Sequence, residues 1–447
     1  MQLIRATGDY AQKIFLLLSC ILISELSKAQ FLMDMVDTTK DLGKGVFSTY
    51  QRFNHIRIGG YIQPQYQAAS AEGAKNYSGG DFAPNSDNRF MLRRGRIRFD
   101  YGRYTPNDDP KLQVVFQFDG TERGVFIRDF WGRFWENKWR LFAFSTGMFA
   151  RPFGYEVNLS SSDREAPERG RMSQTLMRTE RDIGFMASLE PRKREGFFKY
   201  LKVDAGLFNG QGLTGPTDFD SYKDFIGQVM LRPVPIQKNL TLGGGVSILL
   251  GGLRQSNPVT YRLEDKGGGI FQYVADSITT VVGSKLPRNY GGVNAQLKWR
   301  HGWGATELRA EYWAGTQTAL ENSSETPGTE VVLASGLFAP NYIRKFDGAF
   351  IVLLQNIVSE KHQLGVKLDW YDPNTRVEAF HIGAPGSNLN AADIKYTTLG
   401  FGYLFYWDEN FKLTLWFDRV WNEETQLSGY TSDVSDNIST ARIQYRF

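Results

Sequence analysis

Period-two alternation constrains this chain more than any other feature. In "NRFMLRRGRIRFDYG" (88–102), Arg94, Arg96, Arg98 and Asp100 share one parity, and Gly95, Ile97, Phe99 and Tyr101 share the other. Side chains of a β-strand point alternately to opposite faces, so such a strand has one face that needs water and one that needs hydrocarbon. The sorting recurs along the chain. Gln113, Gln117 and Asp119 oppose Val114, Phe116 and Phe118; Lys202 and Asp204 oppose Leu201, Val203 and Ala205; Gln363, Lys367 and Asp369 oppose Leu364, Val366 and Leu368. Two all-β architectures accommodate this: a soluble sandwich with a dry core and a wet exterior, and a membrane barrel with lipid outside and a wet lumen.

The connections decide between them. Sixteen segments carry the pattern, from 56–69 to 436–447, most close to the roughly 9–11 residues a tilted membrane strand needs. The links between them alternate, with 70–88, 150–179, 253–287, 317–345 and 372–393 long, and 103–110, 191–197, 301–303, 358–360 and 407–409 short. The link 120–123 breaks the order by being short where a long one is expected. Long loops on one rim and tight turns on the other mark an up-and-down barrel, and a sandwich has no reason to keep that order. The expectation is an all-β, transmembrane antiparallel up-and-down β-barrel of about 16 strands over residues 55–447.

Composition agrees. Phe, Tyr and Trp together make 14% of the chain, Gly numbers 46, and there is a single Cys. A mean hydropathy of -0.37 is no obstacle, because only alternate residues of a barrel strand meet lipid. A formal net charge of +4 is too small to imply nucleic acid as a partner. The one long apolar run, "IFLLLSCILI" (14–23), follows Arg5 and Lys13 and precedes "SKAQ", so residues 1–29 read as a cleavable signal peptide ending at Ala29. Cys20 as a lipid-modified residue is disfavoured because apolar residues continue past it. Residues 30–54 read as a periplasmic segment with a short helix or a pairing arm. The destination is the outer membrane of a Gram-negative cell, with its lipid as a partner. The final strand, "STARIQYRF", ends on Phe447, which resembles the signal by which barrels are handed to the assembly machinery.

The order "FMLRRGRIRFDYG", "QVVFQFDGTE", "IRDFWGRF", "GMFARPFGYEVNLSSSDREAPERG" and "RDIGFMASL" resembles the phosphate-selective porin family (the O and P type porins), closely over 89–190 and loosely over the rest. The resemblance implies a barrel of sixteen strands, usually a homotrimer, whose third extracellular loop folds into the lumen and narrows it. It also implies passage of small anionic solutes, phosphate among them. On that reading Arg94, Arg96, Arg98, Asp100, Asp129 and Arg133 line the pore. Arg151, Glu156, Ser160, Ser161, Arg164, Arg169, Arg171 and Arg178 belong to the constriction loop.

Residues 150–179 hold five arginines against Glu156, Asp163, Glu165 and Glu168, a balance of +1. Such a loop is too charged to be buried unless it lines water, and guanidiniums there favour anions. Two features broaden the cargo. The lysines on which phosphate-selecting members depend are missing from Trp139 to Arg192, and Glu307 and Glu311 flank Arg309 on one strand face. An enzyme is not expected. His55, His301, His362 and His381 have no metal-ligand spacing, His362 falls on the lipid-side parity near a turn, and no nucleophile stands with a base. "GGGV" at 243–246 lies in a strand pattern and marks a close approach in the wall rather than a phosphate cradle. No cofactor is implied. The alternatives are a secreted or periplasmic β-rich carbohydrate-binding or hydrolytic protein, and a barrel that conducts nothing.

Overall fold

The alternating segments pair into one antiparallel sheet that closes on itself. The computed structural model describes residues 55–192, 196–213, 218–279 and 281–447. The signal peptide and the segment 30–54 expected from the sequence lie outside the described residues. Residues 58–447 form one compact unit, and of the unit ahead of it only 55–57 are described. The strands are β1 (Ile56–Ala69), β2 (Asn88–Tyr104), β3 (Pro110–Thr121), β4 (Gly124–Trp135), β5 (Phe142–Ala150), β6 (Arg181–Leu189), β7 (Leu201–Phe208), β8 (Asp224–Gln237), β9 (Leu240–Arg254), β10 (Thr260–Asp265), β11 (Phe271–Asp276), β12 (Lys285–His301), β13 (Gly304–Ala319), β14 (Asn341–Ile357), β15 (Ser359–Asp372), β16 (Tyr396–Tyr406), β17 (Phe411–Asn422) and β18 (Ile438–Arg446). Of these eighteen, β10 and β11 make a hairpin within one long loop, which leaves sixteen in the wall. Each wall strand pairs with its neighbour, β9 pairs with β12, and β18 closes on β1, where Gly60 and Phe447 exchange both backbone hydrogen bonds at 3.0 Å.

A closed barrel leaves no backbone edge for lipid to desolvate. Its outer face is apolar: Ile97, Phe144, Phe185, Leu353, Val366, Phe401 and Leu415 are all exposed there, on the parity opposite to the buried polar residues. The rim of short turns carries exposed aromatic residues, among them Tyr104, Trp139, Trp303, Trp407 and Phe447, which is the girdle expected at a membrane interface. His362 joins that rim, its Nδ1 at 2.6 Å from the Tyr403 hydroxyl. "GGGV" is a close approach between strands: a Cβ at Gly245 would lie 2.6 Å from the Val229 carbonyl oxygen.

Three details depart from the sequence expectation. The loop after β9 is not plain coil. Its "KGGG" tip turns through three glycines of positive φ, and Tyr261 and Tyr273 pack against Tyr342 of β14 to hold the hairpin down. Strict alternation also fails twice. Arg93 and Arg94 both reach the same inward carboxylate, and a bulge opposite Gln117 and Phe118 turns Arg128 and Asp129 inward together. A bulge inserts one unpaired residue, so two adjacent side chains can share a face.

Candidate functional site

The loop between β5 and β6, residues 151–180, fills much of the lumen, and each of its chemical classes has a partner on the wall. Its apolar residues Phe153, Val157, Met172, Leu176 and Met177 are buried against Tyr290, Trp313, Phe346 and Tyr371, inward residues of β12 to β15. Gly154 has φ +69°, and a Cβ there would stand 2.2 Å from Glu311 Oε1. That carboxylate accepts the successive backbone N–H groups of Tyr155 (2.7 Å) and Glu156 (2.9 Å), so glycine lets the chain approach the wall. The loop's one helical turn, α1 (Arg171–Leu176), is closed by Arg169, whose Nη1 donates to the carbonyls of Ser173 (3.0 Å) and Met177 (3.1 Å). The Ser173 carbonyl also accepts the Met177 N–H at 3.2 Å, and a guanidinium suits carbonyls at the C-terminal end of a helical turn.

Three loop carboxylates latch onto three parts of the wall. Glu156 takes Lys367 Nζ at 2.5 Å, Ser173 Oγ at 2.6 Å and the Gly170 N–H at 3.0 Å. Glu165 takes Arg309 in a two-point contact at 2.8 and 3.1 Å. Glu168 takes Arg93 (2.9 Å), Arg94 (2.6 Å) and Arg442 (2.8 Å). Burial opposes the charge on Glu168, but Arg93, Arg94 and Arg442 outweigh it and hold the carboxyl well below its usual range. Glu156 is likewise depressed, by Lys367 first and then Arg164, against the same burial. The main chain of the serine run is held too. Lys412 Nζ donates to the carbonyls of Ser162 and Arg164, and Gln63 Nε2 donates to that of Ser161.

The residues singled out from the sequence fall into three groups. Arg94 and Arg96 are buried beside the loop; Arg96 binds Asp119 (3.0 Å), the Tyr61 hydroxyl (2.6 Å) and Ser161 Oγ (2.8 Å). Ser160 contacts Ser162 instead, hydroxyl to hydroxyl at 2.9 Å. Arg98, Asp129 and Arg133 stand apart from these, around a cavity of about 210 Å³ that reaches Trp131 and Lys202, and Asp100 is joined to that set through Arg98. Each cation there is backed by a carboxylate: Arg98 by Asp100 (2.6 Å), Arg181 by Asp129 (3.1 Å), Lys202 by Asp204 (2.9 Å), and Arg133 by Glu190. Arg171 lies between the rings of Tyr77 (4.5 Å) and Tyr396 (3.7 Å), and Arg178 reaches outward to Glu325 at 3.0 Å. Arg164 is different. It is buried, it gives one hydrogen bond to the Leu159 carbonyl, and its Nε and Nη1 have no hydrogen-bond partner. Burial, reinforced by the like charge of Arg94, pulls its guanidinium down to about 10.

Around Glu168 the lumen therefore holds more cation than anion, with three guanidiniums sharing one carboxylate and Arg164 close by. Next to it a small cavity of about 30 Å³ is balanced, lined by Glu168, Asp369, Asp418 and Asp436 against Lys75, Arg169, Arg171 and Lys367. Lys367, Arg309 and Arg442 had no assigned role from the sequence. Their signal was present as cations on the water-side parity of β15, β13 and β18, but which loop carboxylate each would meet depends on three-dimensional placement.

The chain matches no described protein family and no curated protein. Among solved structures it is similar to the outer membrane channel DcaP of Acinetobacter baumannii, at 10% identity and a TM-score of 0.53 over 88% of this chain and 97% of the other. It is also similar to Pseudomonas putida OprB, at 9% identity and a TM-score of 0.51 over 90% and 97%. These likenesses bear out the barrel architecture and not the phosphate-selective branch, which rests on the loop motifs. By strand number, closure and structural neighbours, the chain has the fold of an outer-membrane porin.

Proposed function

We propose that the protein is a passive diffusion channel of the outer membrane whose constriction favours small anions. The observation that carries the reading is the cluster of Arg93, Arg94 and Arg442 around the single carboxylate of Glu168, at the level where the third loop crosses the lumen. A ring of fixed cations in a narrow wet pore lowers the barrier for anions and raises it for cations. Bidentate guanidinium contacts suit phosphate and carboxylate oxygens, so phosphate is one candidate cargo. Export by the signal peptide, assembly through the terminal Phe447 and a homotrimeric state complete the proposal. The test is single-channel recording of the purified protein in planar bilayers with phosphate added to one side. Stepwise conductance reduced by phosphate supports the proposal, and steps indifferent to phosphate remove phosphate as cargo.

A second reading is a barrel that does not conduct. It is favoured by the two cavities against the loop carboxylates, of about 30 and 20 Å³, each near the space of a single water. Absence of conductance from correctly folded protein would select it.

A further inference from the structure

Between the start of the third loop and the inward faces of β4 to β8 lies the cavity of about 210 Å³. Its volume equals about seven waters, room for one sugar-sized ring, whereas the cavities against the loop carboxylates each have room for about one. Six charged side chains line it, Arg98, Arg133, Arg181 and Lys202 against Asp129 and Asp204. The cations are the accessible ones. The side chains of Arg98 and Lys202 are 38% and 27% exposed, and those of Asp129 and Asp204 are 4% and 1%. A solute in the cavity therefore meets N–H donors first and carboxylates only behind them.

Those donors are held in place with N–H groups to spare. Arg98 spends Nε and Nη2 on Asp100, at 2.6 and 2.8 Å, which leaves Nη1, and Lys202 Nζ meets Asp204 at 2.9 Å with one of its three donors. Each of the four cations already has a carboxylate of its own, so the site is close to neutral and suits one acidic group better than a dianion. The rest of the lining suits a hydroxylated ring. Arg98 Cζ stands 6.0 Å from the centre of the Trp131 ring, so an acid held by Arg98 brings the body of its carrier against the indole. Asn158, on the loop side, spends Nδ2 on the carbonyls of Phe153 (3.2 Å) and Gly154 (3.0 Å), which leaves its Oδ1 to accept from a hydroxyl.

We propose that this cavity binds a sugar acid, a hydroxylated ring with one acidic group, holding the acid at Arg98, the ring against Trp131 and the hydroxyls at Lys202 and Asn158. The proposal names a solute class for the channel reading, on which it rests for how the solute reaches the lumen.

The test is isothermal titration of the protein in detergent with glucuronate, glucose and inorganic phosphate. The expected result is saturable binding of one glucuronate per chain, at least about tenfold tighter than either of the others. Arg98→Gln should weaken it about tenfold and Trp131→Ala several-fold, while Arg262→Gln, on the loop hairpin, should bind like the unaltered protein. Thermal melts of Arg98→Gln that match the unaltered protein separate lost binding from lost fold. Glucose or phosphate binding as tightly as glucuronate, no saturable glucuronate binding, or binding that both Arg98→Gln and Trp131→Ala leave intact would overturn the proposal. Anion-selective current from protein that binds no glucuronate would remove this site and keep the channel. Binding that depends on Arg98 in folded protein that carries no current would remove the channel and keep the site.

Discussion

Glu168 is the residue on which the loop's placement turns. Its side chain is 3% exposed and bridges three guanidiniums, so Glu168→Gln leaves Arg93, Arg94 and Arg442 facing one another. Breaking a buried pair costs about 3–5 kcal/mol, and water reaching the partly exposed Arg93 should keep the loss toward the lower end. The expected outcome is a lower melting temperature in detergent together with a stronger preference for anions. Asp436 runs the other way. Burial raises its carboxyl from 3.8 to about 6, with Arg171 only partly opposing, so the folded state binds that proton more tightly than the unfolded chain does. Its contribution to stability therefore falls as pH rises from about 4 to about 6. Asp436→Asn should stabilise the protein at pH 7 and add little at pH 4, as checked by thermal melts at the two values. The sequence made the inward arginines of β2 legible through parity from Gly95 onward. It hid the paired inward turn of Arg93 with Arg94, because a local break in alternation has no residue signature of its own here.

The third loop behaves as an element held by both apolar and ionic contacts, and its placement is readable from the sequence only in part. Its length and charge announced a lumen-lining loop, but nothing in "RPFGYEV" tells that Gly154 must approach Glu311. Gly154→Ala combines a left-handed backbone penalty of about 1–2 kcal/mol with a clash against that carboxylate. It should displace the start of the loop and change conductance, measured as a shift in single-channel current. The latches also set a pH window. Glu156 and Glu168 ionise below their unfolded value of 4.5, so the stability they supply is present above that pH and is lost only as pH falls through the depressed values. The loss of melting temperature caused by Glu168→Gln should therefore be the same at pH 7 and pH 5 and shrink only on further acidification, as checked by thermal melts of both proteins. The hairpin β10–β11 was missed at the sequence level because its six-residue strands are set by tyrosine packing on β14, a non-local contact, rather than by face sorting.

At the scale of the whole molecule, strand number and rim asymmetry were legible because a barrel imposes both on every hairpin. Partner choice inside the lumen was not, since loop and wall residues more than a hundred positions apart meet only after closure, as Glu156 and Lys367 do. The same architecture makes the outer face intolerant of charge. Ile97→Arg would place a cation in lipid at about 2–4 kcal/mol near the midplane and should reduce the yield of folded, heat-modifiable barrel. A lumen change such as Arg98→Gln should fold normally. The central claim is that the loop-crossed lumen is a conducting pore with surplus cation. It is tested most directly by the reversal potential of the reconstituted protein across a potassium chloride gradient. The account predicts a sign that reports chloride as the more permeant ion, and a cation-selective sign or complete absence of current from folded protein would contradict it.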